Sequence, residues 1–144
     1  MANPTITLGG TVELQLREHG TIEGQSECDL RLSVSVRMDG FAGTYDQVWI
    51  ASDDWREFIA SLNALERARE GTASLIAMSP DEFELHLQII DLAGHLVAHG
   101  FLSRYHFFQR AETQRSRIAF RADVDPSLLS ELVSTFREFG KALD

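Results

Sequence analysis

The sequence predicts an α+β fold: a largely antiparallel, strongly twisted sheet with two amphipathic helices packed on one face. Three observations carry this. Apolar and polar residues alternate over several short runs, the mark of strands with one dry face. Two longer stretches instead place apolar residues at three-and-four spacing, the mark of a helix covering something. The order is stated twice, several strands and then one helix, so the chain is built as two strands-then-helix halves. Strands with one apolar face and helices with one apolar stripe cover each other most simply in two layers.

The first strand falls in residues 11–17, where Val12, Leu14 and Leu16 share a face and Glu13, Gln15 and Arg17 take the other. Residues 18–29 have no periodicity, two glycines and four acids (Glu18, Glu23, Glu27, Asp29), and read as a polar loop. Leu30, Leu32, Val34 and Val36 then alternate with Arg31, Ser33, Ser35 and Arg37. Asp39-Gly40 signals a hairpin turn into a return strand over residues 41–50.

The first helix follows. Ser52, Asp53 or Asp54 can cap it, and Asp54 with Glu57 has capping-box spacing. Trp55, Phe58, Ile59, Leu62 and Leu65 form its stripe, and Gly71 is a natural stop. The second half opens with a short strand over residues 73–78. Phe83, Leu85, Leu87 and Ile89 then alternate with Glu84, His86 and Gln88. A strand over residues 96–102 either continues to Phe108 or bends at Gly100. Residues 110–115 read as a polar loop and residues 117–122 as the last strand. Asp125 caps the second helix with Pro126 at its first position; Leu128, Leu129, Leu132, Val133 and Phe136 form the stripe, and Gly140 ends it.

The chain has 144 residues, of which 44 % are hydrophobic, which suits a single domain over residues 1–144. No apolar run approaches the ~20 residues that span a bilayer, and residues 1–5 lack signal-peptide features, so the expectation is a cytoplasmic protein with no membrane partner. The lone Cys28 fits a reducing compartment. A net charge of −9 argues against direct nucleic-acid binding and favours fast association with a basic partner.

No constellation for catalysis, cofactor or metal binding interrupts the pattern, so the expectation is a binding protein, not an enzyme. His95 and His99 are four apart in a strand-like run, which separates them by roughly 13 Å, too far for one ion. The paired acids Asp53-Asp54 and Asp123/Asp125 stand at helix starts, where capping accounts for them. Clustering of His86, His95, His99 or His106 with an acid in a cleft would point instead to an enzyme. Alternation puts Arg104 with His106, and Arg117 with Arg121, on shared faces near Arg115 and Phe108, a pattern that suits a weak ligand or RNA platform. The simpler reading is a solvated face whose arginines pair across strands with acids such as Glu84. Tyr45 and Trp49 are expected to share one face of their strand, exposed or core according to register. A concave pocket lined by Tyr45, Trp49, Arg104 or Arg117 would support the alternative function, a small-molecule or peptide binding domain using the open sheet face.

The chain resembles the WapI-type immunity proteins of bacterial polymorphic toxin systems. The matching pieces are Asp29-Leu30-Arg31-Leu32-Ser33-Val34 running into Gly40-Phe41-Ala42-Gly43-Thr44-Tyr45, Trp55 and Phe58 through Leu62 and Leu65 to Gly71-Thr72-Ala73-Ser74-Leu75, Leu85-His86-Leu87 before Gly94-His95-Leu96-Val97 and Gly100, and Ile118-Ala119-Phe120 leading to Asp125, Leu128 and Leu132. They cover roughly residues 10–140 in family order. The resemblance implies a cytoplasmic inhibitor that binds and neutralises a cognate toxin, often a nuclease and therefore basic. Charge and expected exposure single out Glu18, Glu23, Glu27, Asp29, Asp39 and Asp46 as partner-binding residues. An exposed sheet face or edge could also pair with a second copy in a homodimer.

Overall fold

The computed structural model describes residues 5–8, 13–18, 29–107 and 113–138. Strands β1 (Thr5–Leu8), β2 (Glu13–Glu18), β3 (Leu30–Met38) and β4 (Phe41–Ile50) pair in sequence order as one antiparallel sheet. Helix α1 (Ser52–Ala68) leads to the second antiparallel sheet, formed in order by β5 (Gly71–Ile76), β6 (Phe83–Ile89), β7 (Leu96–Phe107) and β8 (Thr113–Val124). A 3-10 turn (Pro126–Leu128) then runs into α2 (Leu129–Glu138). The α+β class, the antiparallel pairing and the two strands-then-helix halves follow the sequence pattern. The ladder is divided into two sheets, one on each side of α1 in the chain. The sheets touch where Met78, just past β5, donates its N–H to the carbonyl of Trp49 at 2.8 Å. They also approach where Gly43 of β4 faces Ile118 of β8.

One core serves both halves. The inward positions Leu30, Leu32, Val34 and Val36 of β3 are fully buried, as are Phe83, Leu85 and Leu87 of β6. Both helices add their stripes to the same cluster: Trp55, Phe58, Leu62 and Leu65 from α1, and Leu129, Leu132, Val133 and Phe136 from α2. Phe58 and Phe136 meet edge to face with ring centroids 5.1 Å apart, the preferred geometry for an aromatic pair.

Local structure departs from the expected pattern at points that matter for function. No side chain of the helix's own start caps α1. Its N-cap is Ala51, and Asp29, at the threshold of β3, accepts the Ser52 N–H at 3.4 Å, while Asp53 turns to Arg56. The helix stops at Ala68, three residues before Gly71, with Arg69 in the left-handed conformation (φ 55°). The strand β7 does not bend at Gly100. The glycine is needed because a Cβ there would lie 1.9 Å from the Glu84 carbonyl oxygen of β6. The expected loop over residues 110–115 is strand from Thr113 onward. The four-residue β1 was too short to show a period. Asp125 caps the turn before α2 as anticipated, accepting the Ser127 N–H at 3.0 Å. Gly140 lies outside the described residues.

Candidate functional site

Of the acids expected to meet a partner, the described ones, Glu18, Asp29, Asp39 and Asp46, are distributed along the first sheet. Asp39 is exposed in the tight turn between β3 and β4, beside Gly40, whose φ of 78° is one that glycine adopts freely. Asp46 is exposed on β4. Glu18 ends β2, in register with Leu32. Asp29 is half-buried and occupied with the start of α1. The length of β3, roughly 30 Å at strand rise, separates Asp29 from Asp39, so these two do not form one cluster. Glu23, Glu27 and Cys28 lie outside the described residues.

The outer face of the second sheet carries a cross-strand row set by register: Ser74, His86, His99 and Arg121 from β5 to β8. Ser74 Oγ lies 2.7 Å from His86 Nδ1, and His86 Nε2 lies 3.3 Å from Glu84 Oε1. The His86 and His99 rings stack at 5.1 Å with planes 27° apart. Burial, and then the neighbouring His86 and Arg121, hold His99 below the usual imidazole value. Hydroxyl, imidazole and carboxylate in sequence resemble a nucleophile with its base. Around Ser74, however, the backbone N–H groups are those of a regular strand. A strand does not aim two donors at one developing oxyanion, as acyl transfer requires.

His95 stands apart from this row, in the turn before β7. Its Nδ1 lies 2.5 Å from Asp91 Oδ2, which raises the imidazole and lowers the carboxyl, both chiefly through that hydrogen bond. His95, which the sequence pattern put in a strand-like run with His99, thus precedes β7 and belongs to a different network. Among the described residues no group of three His, Cys, Asp or Glu side chains is placed to hold a metal.

Tyr45 and Trp49 do not share a face. Between the pairs Leu32↔Val48 and Val34↔Tyr45 the register shifts, so that Ser33 alone opposes Asp46 and Gln47. This β-bulge flips the alternation. Tyr45 therefore packs against the core, while Trp49 lies opposite Arg31 on the outer face. The arginines divide in the same way. Arg104 and His106 continue the inward parity of β7, and Arg117 and Arg121 take the outward parity of β8. None of these arginines pairs with a carboxylate among the described residues. Glu84 bonds His86 instead, and Arg117 stands 4.0 Å over the Phe101 ring. Phe108 lies outside the described residues.

Inward parity beyond the end of the core creates a cleft. Between the β3–β4 hairpin and strands β7 and β8 lies a concavity of about 540 Å³. Met38, Leu102 and Ile118 form its apolar base, and Tyr45 and Phe41 its wall. Arg104, with its guanidinium 4.0 Å over the Tyr45 ring, supplies charge. His106 and Ser116, whose Nε2 and Oγ are 3.0 Å apart, border it as well. The structure thus brings Tyr45 and Arg104 to one hollow, which Arg117 borders from β8 while its guanidinium lies over Phe101, and leaves Trp49 and Arg121 out of it. Phe41, 69 % exposed, was not singled out from sequence; its place just after the Asp-Gly turn was the available signal.

No helix among the described residues is long and apolar enough to cross a membrane. Comparison with curated proteins and with solved structures gives no match. The family model described as "Immunity protein WapI-like family" matches residues 5–143, nearly the whole length. On that match, the chain belongs to the WapI-like immunity protein family.

Proposed function

We propose that this chain is a cytoplasmic inhibitor that binds and neutralises a basic, nuclease-type toxin through acids of its first sheet and of residues 18–29. Membership of an immunity protein family supports a toxin-neutralising role in general, and it is the observation that carries the reading. The rest is supported by charge. The chain has 22 acids against 13 lysines and arginines, and a toxin that grips phosphate presents the opposite sign. Asp39 at a hairpin tip and Asp46 beside a bulge are exposed without a cation partner among the described residues, so each could meet an incoming positive surface at little desolvation cost. In this reading the chain performs no reaction of its own and contacts neither nucleic acid nor membrane directly. Strand β1, at the end of the first ladder among the described residues, is where a second copy could pair.

The test begins with capture of the tagged chain's partner from the producing bacterium. The expected result is one basic protein at equal stoichiometry whose toxicity the chain blocks. Recovery of the chain alone, at low and at moderate salt, overturns the reading. With the partner in hand, Glu18, Glu23, Glu27, Asp39 and Asp46 are neutralised together to Gln or Asn. Asp29 is left in place because it holds the start of α1. Association should slow by roughly tenfold or more and lose most of its salt dependence. Unchanged kinetics would remove these acids from the interface.

A further inference from the structure

We infer that the cleft between the two sheets is a binding site for a small aromatic carboxylate, a ligand separate from any toxin. Four observations on the cleft itself point there. Its volume, about 540 Å³, lies within the range of small-molecule sites. Its base of Met38, Leu102 and Ile118 is apolar, so it suits a flat hydrocarbon body. Gly43 keeps the floor open: a Cβ there would come within 3.3 Å of Ile118 Cγ2. The fourth observation is charge. On a chain of net charge −9, no acid among the described residues lines the cleft, and Arg104 at its edge has no carboxylate partner among them.

The state of Arg104 favours an anion over a neutral guest. Its guanidinium is stacked on Tyr45 at 4.0 Å, which fixes the planar fork before any ligand arrives. A carboxylate can then be gripped by two N–H donors with little further ordering. An aromatic ring attached to it would lie over the apolar base beside Tyr45 and Phe41 in offset contact. Arg117 also borders the cleft, but it takes the outward parity of β8 and its guanidinium lies over Phe101 on that outer face, so Arg104, on the inward parity, is the group assigned to the carboxylate. His106 and Ser116 bond each other at 3.0 Å and form a polar edge beside it.

The experiment uses the full chain, uniformly nitrogen-labelled, titrated with naphthoate and separately with the uncharged naphthamide of the same shape, while backbone amide NMR shifts are followed. Saturable shifts at Gly43, Thr44, Ser116 and Ile118 are expected with naphthoate, and affinity for naphthamide should be roughly tenfold weaker. Arg104 is exposed, so Arg104→Gln should fold, as its spectrum will report, and should abolish the preference for the anion. Arg121→Gln, on the opposite face, should leave it unchanged and so controls for net charge. The inference is overturned if the two probes bind equally, if Arg104→Gln keeps the preference, if the shifts fall outside the cleft, or if nothing saturates by about 5 mM. None of these outcomes involves the toxin, so this site and the inhibitor reading stand or fall separately.

Discussion

Gly100 and Gly43 both lie where strands approach closely, and they differ in what a methyl group would meet. At Gly100 the added Cβ would sit 1.9 Å from a backbone oxygen and 3.1 Å from the Phe120 ring. The oxygen belongs to the β6–β7 ladder, so relief requires moving a strand whose alternate residues are fully buried. At Gly43 the neighbour is the end of a half-buried isoleucine side chain at 3.3 Å, which can rotate. Gly100→Ala should therefore cost about 2–3 kcal/mol and lower Tm by roughly 6–12 °C, whereas Gly43→Ala should cost less than about 1 kcal/mol. Thermal unfolding of the two variants checks the contrast; equal losses would mean that the β6–β7 ladder gives as easily as a side chain. The need for glycine at position 100 was not visible in the sequence, where the same residue could equally mark a bend. What decides is the partner strand, and alternation along one strand is silent about how near its neighbour comes.

Among the elements, α1 shows how far a local reading reaches. Its stripe from Trp55 to Leu65 was legible because a helix buried on one side repeats every three to four residues, whatever it packs against. Its cap was not. Asp29, twenty-three positions earlier, supplies the acceptor, since the pairing of Leu30 with Ile50 brings the start of β3 beside the end of β4. The carboxylate satisfies an otherwise orphan N–H and places negative charge at the positive end of the helix. Asp29→Ala should remove about 0.5–1 kcal/mol, the low end for a cap because the bond is long at 3.4 Å, and Asp29→Asn should recover part of it. Urea midpoints for the two variants test this; a loss with Ala that Asn does not restore would assign the effect to charge alone. The bulge in β4 is a second case. Period-two reading carries Tyr45 and Trp49 to one face, and one extra residue opposite Ser33 moves them apart. Nothing in the composition of Asp46 and Gln47 announces that step, and the candidate cleft depends on it, because Tyr45 reaches Arg104 only from the inner side.

At the scale of the whole molecule, two sheets that share no ladder could in principle unfold separately. The packing argues otherwise. One cluster takes buried residues from both sheets and both helices, and α2, last in the chain, seats Phe136 against Trp55 and Phe58 of α1 at centroid distances of 6.2 and 5.1 Å. The second half also reaches back to the first through the Met78–Trp49 backbone bond, and Arg69 at the end of α1 donates to the Pro126 carbonyl at 3.1 Å. Neither sheet can keep its inner face dry once the helices leave, so the chain should behave as a single cooperative domain. Tryptophan fluorescence reports the first half, through Trp49 and Trp55, and far-ultraviolet circular dichroism reports the whole. Their urea transitions should coincide. Phe136→Ala, which empties a fully buried site, should shift both midpoints together by the equivalent of about 3–5 kcal/mol. If fluorescence held its midpoint while circular dichroism moved, the halves would be independent units. The cleft between them would then be a gap between neighbours, with no reason to keep the Arg104–Tyr45 stack in place for a ligand.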